Sequence, residues 1–325
     1  MTPKVLVKAE EETDPKYGTP PENRPLREHI KRGIVNLNKP SGPTSHQVSA
    51  WVRDMLEVEK AGHSGTLDPK VTGVLPIAIE DSTRILKTLL LAGKEYVTLM
   101  VLHDEVKSSD LKAALAYFQG EIFQKPPLKS NVKRQIRTKK IYSIKLLEKE
   151  GKLVLFTVDC ESGTYIRKLC HDLGLYLGVG AHMQDLRRIR AGPFTEKTSV
   201  TMHDLKDAYE FYKEDGNEKL LRACILPVEC AAADMKKIWL KDSAVSAICH
   251  GADLNAPGIA KVEADIKKGE VVALMTLKGE LAAVAISDLT SNEIMSKNRG
   301  KVAKLHRVIM DPDTYPRKWH TSQNI

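Results

Sequence analysis

The chain has 325 residues, which is enough for two domains with separate hydrophobic cores. A formal net charge of +8 and a pI near 9.0 favour a polyanionic partner. The five cysteines show no Cys-x-x-Cys spacing, and the sequence contains no signal-peptide pattern or apolar run of bilayer length. We therefore expect a soluble intracellular protein with buried free thiols and no metal site, and we exclude a membrane protein.

The first 32 residues are polar and contain prolines at positions 3, 15, 20, 21 and 25. On its own, such a segment buries too little apolar surface to become ordered. Two interpretations remain open at this point: a disordered tail, or an arm that lies on another domain.

From residue 33 onward the pattern mixes helices and strands. Thr44 and Gln47 have capping-box spacing, and an apolar helix face follows over residues 48–56. Further helices are predicted over residues 83–91, 110–118 and 165–177. Strands are predicted over residues 34–37, 96–102, 141–147 and 153–160, the last two as a hairpin.

A second pattern begins near residue 235 and continues to about residue 312. It consists of short apolar runs separated by frequent glycines. Residues 271–277 and 281–286 are predicted to be hairpin strands. The pattern alone indicates a small β-rich domain.

Residues 62–69, which read GHSGTLDP, form the most informative segment of the chain. Gly62 and Gly65 allow tight turns and a close approach to a ligand, and Pro69 restricts Asp68 to extended conformations. This pattern therefore presents one carboxylate from a stiff loop. For an isolated Asp-Pro pair, an Asx-type turn with a solvated acid would be the better interpretation.

Several separated blocks support the functional interpretation of that loop. They are NLNKPSGPTS at 36–45, AGHSGTLDP at 61–69, GVLP at 73–76, KEY at 94–96, QKPP at 124–127, GTYIR at 163–167 and LRR at 186–188. In this order they resemble the signature of the TruB-type RNA pseudouridine synthases over roughly residues 33–195. The chain is most similar to the dyskerin-like branch, which provides the catalytic subunit of H/ACA guide-RNA particles, in its archaeal form. Residues 251–259 resemble a PUA domain.

The resemblance implies an α+β fold with two folded domains. It implies a pseudouridine-synthase catalytic domain with a mixed, mainly antiparallel sheet over residues 33–234, and a small β-rich PUA pseudobarrel that binds RNA over residues 235–315. Residues 1–32 would be an N-terminal arm that packs on the C-terminal domain. Residues 316–325 would be a C-terminal tail.

The same resemblance implies the site residues. The reaction breaks the N-glycosidic bond of a uridine and rejoins the base through C5, so it needs an ionised carboxylate near C1′ but no cofactor and no metal. Asp68 is expected to be that catalytic carboxylate, with Arg167 as the partner that keeps it charged. Substrate-binding positions are expected at His63, Tyr96, Tyr165, Arg167 and Leu186, and Lys39 is expected to support the catalytic loop.

Each of these residues also has a more ordinary interpretation. A tyrosine such as Tyr96 or Tyr165 is commonly a core residue, as is Leu186, and a loop histidine such as His63 is commonly solvated. Arg167 alone would be a solvated arginine at a helix start. The surrounding motif blocks favour the functional interpretation.

Basic residues follow the QKPP block without an intervening acid. Such a run is usually a solvated face, but in a long loop it can contact phosphates. The expected contacts to the RNA backbone are Lys129, Lys133, Arg134 and Arg137. Arg187, Arg188 and Arg190 form a second basic cluster.

Three functions are consistent with these residues. The first is a pseudouridine synthase that acts on rRNA, with tRNA as a second substrate class, guided by H/ACA RNA. Its implied partners are the guide RNA, the substrate rRNA and small Gar-type, Nop-type and kink-turn-binding ribosomal-protein-like subunits. The alternatives are a stand-alone tRNA pseudouridine synthase and a non-catalytic RNA scaffold. The chain lacks a Lys/Glu-rich tail, so we expect a cytoplasmic archaeal protein; a eukaryotic one would be nucleolar.

Overall fold

The structure is a computed structural model, and it describes residues 3–125 and 135–317. Its described residues divide into two units. The first, called here the β-rich unit, contains residues 3–34, 78–85 and 225–317. The second, called the sheet unit, contains residues 35–77, 86–125 and 135–224.

The strands are numbered in chain order. They are β1 (Val5–Val7), β2 (Gly33–Lys39), β3 (Ala61–His63), β4 (Thr72–Ile79), β5 (Lys94–Leu102), β6 (Gly120–Gln124), β7 (Arg137–Glu150), β8 (Leu153–Cys160), β9 (Ala181–Ala191), β10 (Phe194–Thr195), β11 (Leu226–Pro227), β12 (Lys236–Leu240), β13 (Leu254–Asn255), β14 (Ile259–Glu263), β15 (Val271–Met275), β16 (Leu281–Ser287) and β17 (Lys301–Val308).

The α-helices are numbered in the same way. They are α1 (Leu26–Lys31), α2 (Ser45–Met55), α3 (Leu86–Leu91), α4 (Ser108–Tyr117), α5 (Ile166–Tyr176), α6 (Met202–Asp215), α7 (Glu218–Cys224), α8 (Asp242–Cys249) and α9 (Ser291–Ser296). Within the described residues, none of these helices has the length and apolar character needed to span a membrane.

The sheet unit is built on a mixed, mainly antiparallel sheet. Its strands follow the order β2-β4-β9-β5-β8-β7-β6, with β3 against β4 and β10 against β9. The pair β4–β9 is parallel, whereas β5–β9, β5–β8, β7–β8 and β6–β7 are antiparallel. Alternating burial along β8 sends Val154, Phe156 and Val158 into the core, as a period of two requires.

In the β-rich unit a second sheet has the strand order β1-β14-β12-β15-β16-β17-β13. Strand β1 pairs antiparallel with β14, so N-terminal residues form the sheet edge. Gly18 has a φ of 67°, and a Cβ there would lie 2.3 Å from both Glu280 Oε2 and Tyr315 Oη. Tyr315 donates to Glu280 at 2.9 Å, and both side chains are buried.

Most predicted elements are confirmed, with two instructive exceptions. Helix α2 begins with the predicted capping box of Thr44 and Gln47, and the hairpin of β7 and β8 is present. The helix predicted over residues 83–91 is wrong in its first part, because Glu80–Ile85 is a 3-10 helix. Thr83 Oγ1 donates to Glu80 O at 2.6 Å, a local bond that competes with helical geometry.

The second exception is the segment after Gln124, where a long loop was predicted. Arg137 begins strand β7 and pairs with Gln124 of β6, so residues 137–140 belong to a strand and not to a loop. Lys139, in the same strand, donates to Glu161 Oε1 at 2.9 Å and is not a free cation.

Candidate functional site

The loop that carries Asp68 connects β3 to β4 and is held through its main chain. Ser45, at the first position of α2, is fully buried, and its Oγ both donates to Leu67 O (3.1 Å) and accepts from Leu67 N (2.8 Å). Gly42 N donates to Pro69 O at 2.9 Å. The residues on both sides of Asp68 are therefore fixed by the segment that begins α2.

Lys39 supports the same loop from the end of β2. Its side chain is fully buried, and its Nζ donates to the carbonyl oxygens of Pro40 (2.8 Å), Pro69 (2.9 Å) and Val71 (3.0 Å). Burial lowers the pKa of Lys39, and the Asp68 carboxylate opposes that effect. The structure thus places Lys39 under the loop that carries Asp68, where it contacts main-chain oxygens.

Asp68 and Arg167 are in contact. Arg167 Nη2 donates to Asp68 Oδ2, and the two side chains are 56% and 53% exposed, so the pair is accessible to a ligand. Arg167 lies in the first turn of α5, which presents it toward the loop.

Gln124 fixes the start of α5, a role that sequence reasoning missed. Its side-chain amide donates to Tyr165 O at 3.1 Å and accepts from Tyr165 N at 2.9 Å. Tyr165 is the N-cap residue of α5, and Gln124 is only 2% exposed. The one available signal was the position of Gln124 in the QKPP block.

Tyr96 lies on β5, directly opposite Arg188 of β9. Both residues are buried, and the Arg188 guanidinium donates from Nε to Val74 O at 2.7 Å and from Nη2 to Gly65 O at 3.2 Å. Burial raises the pKa of Tyr96, and Arg188 opposes this effect. Burial also lowers the pKa of the neighbouring Lys94 to about 8, and Arg188 adds to that shift.

His63 ends β3 beside an open cleft of about 380 Å³. Its ring meets His46 edge to face, with 4.8 Å between the centroids. Burial, together with His46 and Arg188, lowers the pKa of His63 to about 4, so its ring is neutral at pH 7. The cleft is lined by His46, Ser49, Ala50, Arg53, Ala61, Gly62, His63 and Leu86.

The remaining predicted residues fall in different places. Leu186 on β9 is 8% exposed and lies opposite Thr98. Arg137 is exposed at the start of β7. Lys129, Lys133 and Arg134 lie outside the described residues.

The predicted cluster of Arg187, Arg188 and Arg190 is not one basic face. Arg187 pairs with Glu196, and Arg190 pairs with Asp159, whereas Arg188 is buried. Successive residues of a strand point to opposite faces, so residues that are adjacent in sequence need not share a face. Across residues 3–125 and 135–317, no group of three or more His, Cys, Asp or Glu side chains could hold a metal ion.

Models of four protein families match the chain in sequence. The TruB family pseudouridylate synthase N-terminal domain matches residues 53–166, and the tRNA pseudouridylate synthase B C-terminal domain matches residues 167–233. The PUA domain matches residues 236–309, and the DKCLD (NUC011) domain matches residues 2–49.

Similar proteins cover almost the whole chain. A probable tRNA pseudouridine synthase B of Methanopyrus kandleri is 55% identical, covering 97% of this chain and 93% of the relative. A Cbf5-Nop10-Gar1 complex contains a chain that is 54% identical, with a TM-score of 0.91 and 97% of each chain covered. An H/ACA RNP bound to a substrate RNA containing 2'-deoxyuridine contains a chain that is 51% identical, with a TM-score of 0.90 and 98% of each chain covered.

Proposed function

Because the chain belongs to the TruB family of pseudouridine synthases, we propose that it isomerises uridine to pseudouridine in RNA with Asp68 as the catalytic carboxylate. The observation that carries this assignment is the contact between Asp68 and Arg167. Lys39 and Ser45 fix the loop that carries Asp68. An arginine remains protonated when water is excluded, so it keeps the carboxylate ionised while substrate is bound. Held in this way, Asp68 acts at C1′ of the target ribose.

The proposed reaction changes the bonding at three atoms, which are C1′ of the ribose and N1 and C5 of the base. The N1–C1′ bond breaks, the base turns, a C1′–C5 bond forms, the C5 proton leaves and N1 gains a proton. Asp68 acts in the first of these events, either by adding to C1′ or by assisting a glycal route. The net reaction is an isomerisation, which consumes no redox equivalent.

The proposed pocket for the flipped uracil surrounds this pair. Tyr96 is the residue proposed to stack on the base, with Tyr165 and Leu186 as the walls. A neutral His63 suits stacking or positioning better than proton transfer, because its pKa lies near 4. Lys39 supports the loop and does not touch the substrate.

We further propose that an H/ACA guide RNA selects the uridine. The solved relatives assembled with Nop10 and Gar1, or bound to substrate RNA within an H/ACA particle, support this assignment. The proposed partners are therefore guide RNA, substrate rRNA, and Gar-type, Nop-type and kink-turn-binding subunits. A PUA domain over residues 235–315 would hold the 3′ ACA end of the guide, and the N-terminal arm would pack on that domain. Cytoplasmic localisation is proposed from the archaeal assignment.

A stand-alone tRNA pseudouridine synthase is the second candidate function. The names of the curated relatives, probable tRNA pseudouridine synthase B, favour it. Both candidates use the same active site, so dependence on a guide separates them.

The test is tritium release from RNA labelled at C5 of the target uridine, measured with and without guide RNA and partner proteins. We expect release that requires the guide, and a loss of at least about 1,000-fold in Asp68→Asn. Asp172→Asn is the matched control, because Asp172 forms an ion pair with Lys168 on the helix that carries Arg167.

Release from tRNA without a guide would replace the first candidate by the second. Undiminished release by Asp68→Asn would remove Asp68 from the catalytic role. Tight RNA binding without any release would favour the non-catalytic scaffold.

A further inference from the structure

Lys94 is a buried cation to which the proposed reaction gives no role. It is 4% exposed, and its Nζ donates to the carbonyl oxygens of Leu89 at 3.4 Å, Leu90 at 2.9 Å and Ala92 at 2.7 Å. All three acceptors are neutral main-chain oxygens. They lie at the C-terminal end of α3, where the last carbonyl groups of a helix have no partner within the helix.

Helix α3 depends on support of this kind. It has six residues, of which Leu89 is buried, whereas Leu90 and Leu91 at its end are exposed. So short a helix is not stable alone, and one buried side chain adds little packing energy. A cation at the C-terminal end binds the free carbonyl groups and also favours the negative end of the helix dipole. The Lys94 ammonium therefore holds the end of α3 in position.

Helix α3 packs against the segment that leads from β3 into the following loop. A Cβ at Gly62 would lie 2.9 Å from Leu86 Cδ1, and a Cβ at Gly65 would lie 3.8 Å from Leu90 Cδ1. Leu86 and Leu90 are one turn apart, so they lie on the same face of α3. Lys94 reaches this face as well, because a Cβ at Gly65 would lie 3.4 Å from Lys94 Cε. A shift at the end of α3 would therefore be passed to the loop at Gly65.

The two halves of this loop have separate supports. Lys39 and Ser45 bind main-chain atoms of residues 67–71. In the first half, Arg188 donates to Gly65 O, and further packing contacts come from α3. The hydrogen bonds of Lys39 and Ser45 reach no further than residue 67, so the first half relies on these other contacts.

We propose that Lys94 is a positioning residue for the reaction, which fixes the first half of the loop that carries Asp68 by holding the end of α3 beneath it. This inference rests on the proposed function, in which Asp68 acts at C1′ of the target ribose. Loss of the Lys94 bonds leaves the supports of residues 67–71 in place. We therefore expect a loop that still forms but no longer aims the carboxylate as well, which lowers the rate and leaves RNA binding intact.

The ammonium form of Lys94 is the form that fits its three acceptors. An ammonium has three N–H donors, whereas a neutral amine has two and a lone pair that meets a carbonyl oxygen. Burial lowers the pKa of Lys94 to about 8, and Arg188 of β9 adds to that shift. Arg190 of β9 and Lys139 of β7 lower the pKa further, whereas Cys160 of β8 opposes them. Lys94 thus loses its proton as the pH rises through about 8.

Two neighbouring groups keep their protons in this range. Burial raises the pKa of Cys160 to about 12, and it raises the pKa of Tyr96 above its ordinary value of 10.0. A decrease in rate as the pH rises through about 8 therefore reports the Lys94 ammonium and not these groups.

The experiment measures single-turnover tritium release from RNA labelled at C5 of the target uridine, at pH values on both sides of 8. The protein is assembled with guide RNA and partner proteins, and RNA affinity is measured in parallel by filter binding. Lys94→Met has a side chain of similar length without a donor, and Lys94→Arg keeps a permanent charge. Lys87→Met, at an exposed position of α3, is the matched control.

For Lys94→Met we expect the rate at neutral pH to fall by about tenfold, while RNA affinity stays within about twofold of the unsubstituted protein. The unsubstituted protein and Lys87→Met should both lose rate, by about threefold or more, as the pH rises through about 8. Lys94→Arg should not show this decrease. An alkaline loss that originates in the RNA would occur in every variant, so the comparison with Lys94→Arg isolates the contribution of Lys94.

An unchanged rate in Lys94→Met would overturn the proposal. A loss of RNA affinity that accounts for the whole effect would also overturn it, because Lys94 would then act in RNA binding. Identical pH profiles for Lys94→Arg and the unsubstituted protein would do the same, and this comparison does not require Lys94→Met to fold. Failure of the proposed function would look different, since the unsubstituted protein would then release no tritium at any pH.

Discussion

Gln124 acts at a single point in the chain but influences the geometry of the pair formed by Asp68 and Arg167. Its buried amide binds both main-chain polar groups of Tyr165, and α5 starts at the next residue. Arg167 follows one position later and contacts Asp68. A small displacement at Tyr165 is therefore passed to the ion pair.

Substitution of Gln124 by Ala should weaken both stability and turnover. The change leaves the part-buried Tyr165 N–H without its acceptor, at a cost of about 1–3 kcal/mol, whereas Tyr165 O still accepts from Lys168 N and Leu169 N. We expect the single-turnover rate to fall by about tenfold because Arg167 loses its fixed position. Tritium release and urea unfolding measure the two effects, with exposed Gln119→Ala as the matched control. Full activity of Gln124→Ala would show that α5 is held by other contacts.

His63 makes the free energy of unfolding depend on pH in the acid range. Its folded-state pKa is about 4, below the ordinary value of 6.5, so the unfolded chain binds a proton in this range that the folded protein does not bind. The free energy of unfolding should therefore decrease as the pH falls from 6.5 to 4, by up to about 3 kcal/mol.

Urea titrations across this range should show a smaller decrease for His63→Gln than for the unsubstituted protein. Exposed His203→Gln is the matched control. Identical pH profiles for His63→Gln and the unsubstituted protein would contradict this explanation.

The sequence proposes candidate site residues where they stand in short motifs, and it misses residues whose contacts depend on distant partners. Asp68, Arg167 and Lys39 could be proposed from contiguous blocks. Gln124 and Tyr165 are 41 positions apart, and Arg188 and Val74 are 114 apart. No local pattern connects such pairs, because strand order and register bring them together.

Among the elements, helix α2 helps to fix the loop that carries Asp68. Ser45 Oγ binds both polar main-chain groups of Leu67, the residue before Asp68. Ser49, one turn later, is also buried, but its Oγ donates only to Ser45 O, at 2.9 Å. Ser45 therefore supports the loop, whereas the hydrogen bond of Ser49 lies within the helix.

Ser45→Ala should reduce turnover more than Ser49→Ala does. The first change removes two buried hydrogen bonds to the loop that carries Asp68, at about 1–3 kcal/mol, whereas the second removes a bond within the helix. We expect a rate loss of about tenfold for Ser45→Ala and less than about twofold for Ser49→Ala, measured by single-turnover tritium release. Equal losses would mean that the helix as a whole, and not Ser45, positions Asp68.

The elements were predicted best where the hydrophobic period was long and the caps were standard. The capping box of α2 and the β7–β8 hairpin are examples. Glu80–Ile85 could not be assigned in this way, since local side-chain bonds determine its 3-10 geometry. The pairing of β1 with β14 joins residues at opposite ends of the chain, and three residues carry too little pattern to predict it.

At the scale of the whole molecule, residues 14–18 pack against residues 278–280 and Tyr315 inside the β-rich unit. Gly18 lies against the buried Glu280 and Tyr315, and Lys278 Nζ donates to the carbonyl oxygens of Asp14 at 2.9 Å and Gly18 at 3.3 Å. An N-terminal segment that is polar in sequence is thus ordered by long-range contacts within this unit.

Gly18→Ala should destabilise the protein by about 2–4 kcal/mol, because backbone strain at positive φ adds to a steric clash. Gly216→Ala is the matched control, since Gly216 has the same φ of 67° and a methyl group there would meet no atom within 4 Å. We expect about 1 kcal/mol for the control. Urea unfolding with hydrogen exchange of β16 measures the difference, and equal costs would contradict the packing account.

The supports of the loop that carries Asp68 have an evolutionary consequence. Lys39, Ser45 and Arg188 all bind main-chain atoms of the loop, which exist whatever side chains the loop carries. Exposed positions such as Thr66 and Lys70 could therefore drift without loss of shape. The same segment grafted into a foreign scaffold would lose its shape although every residue was retained. Selection for the position of the Asp68 carboxylate therefore acts on residues outside the segment that carries it.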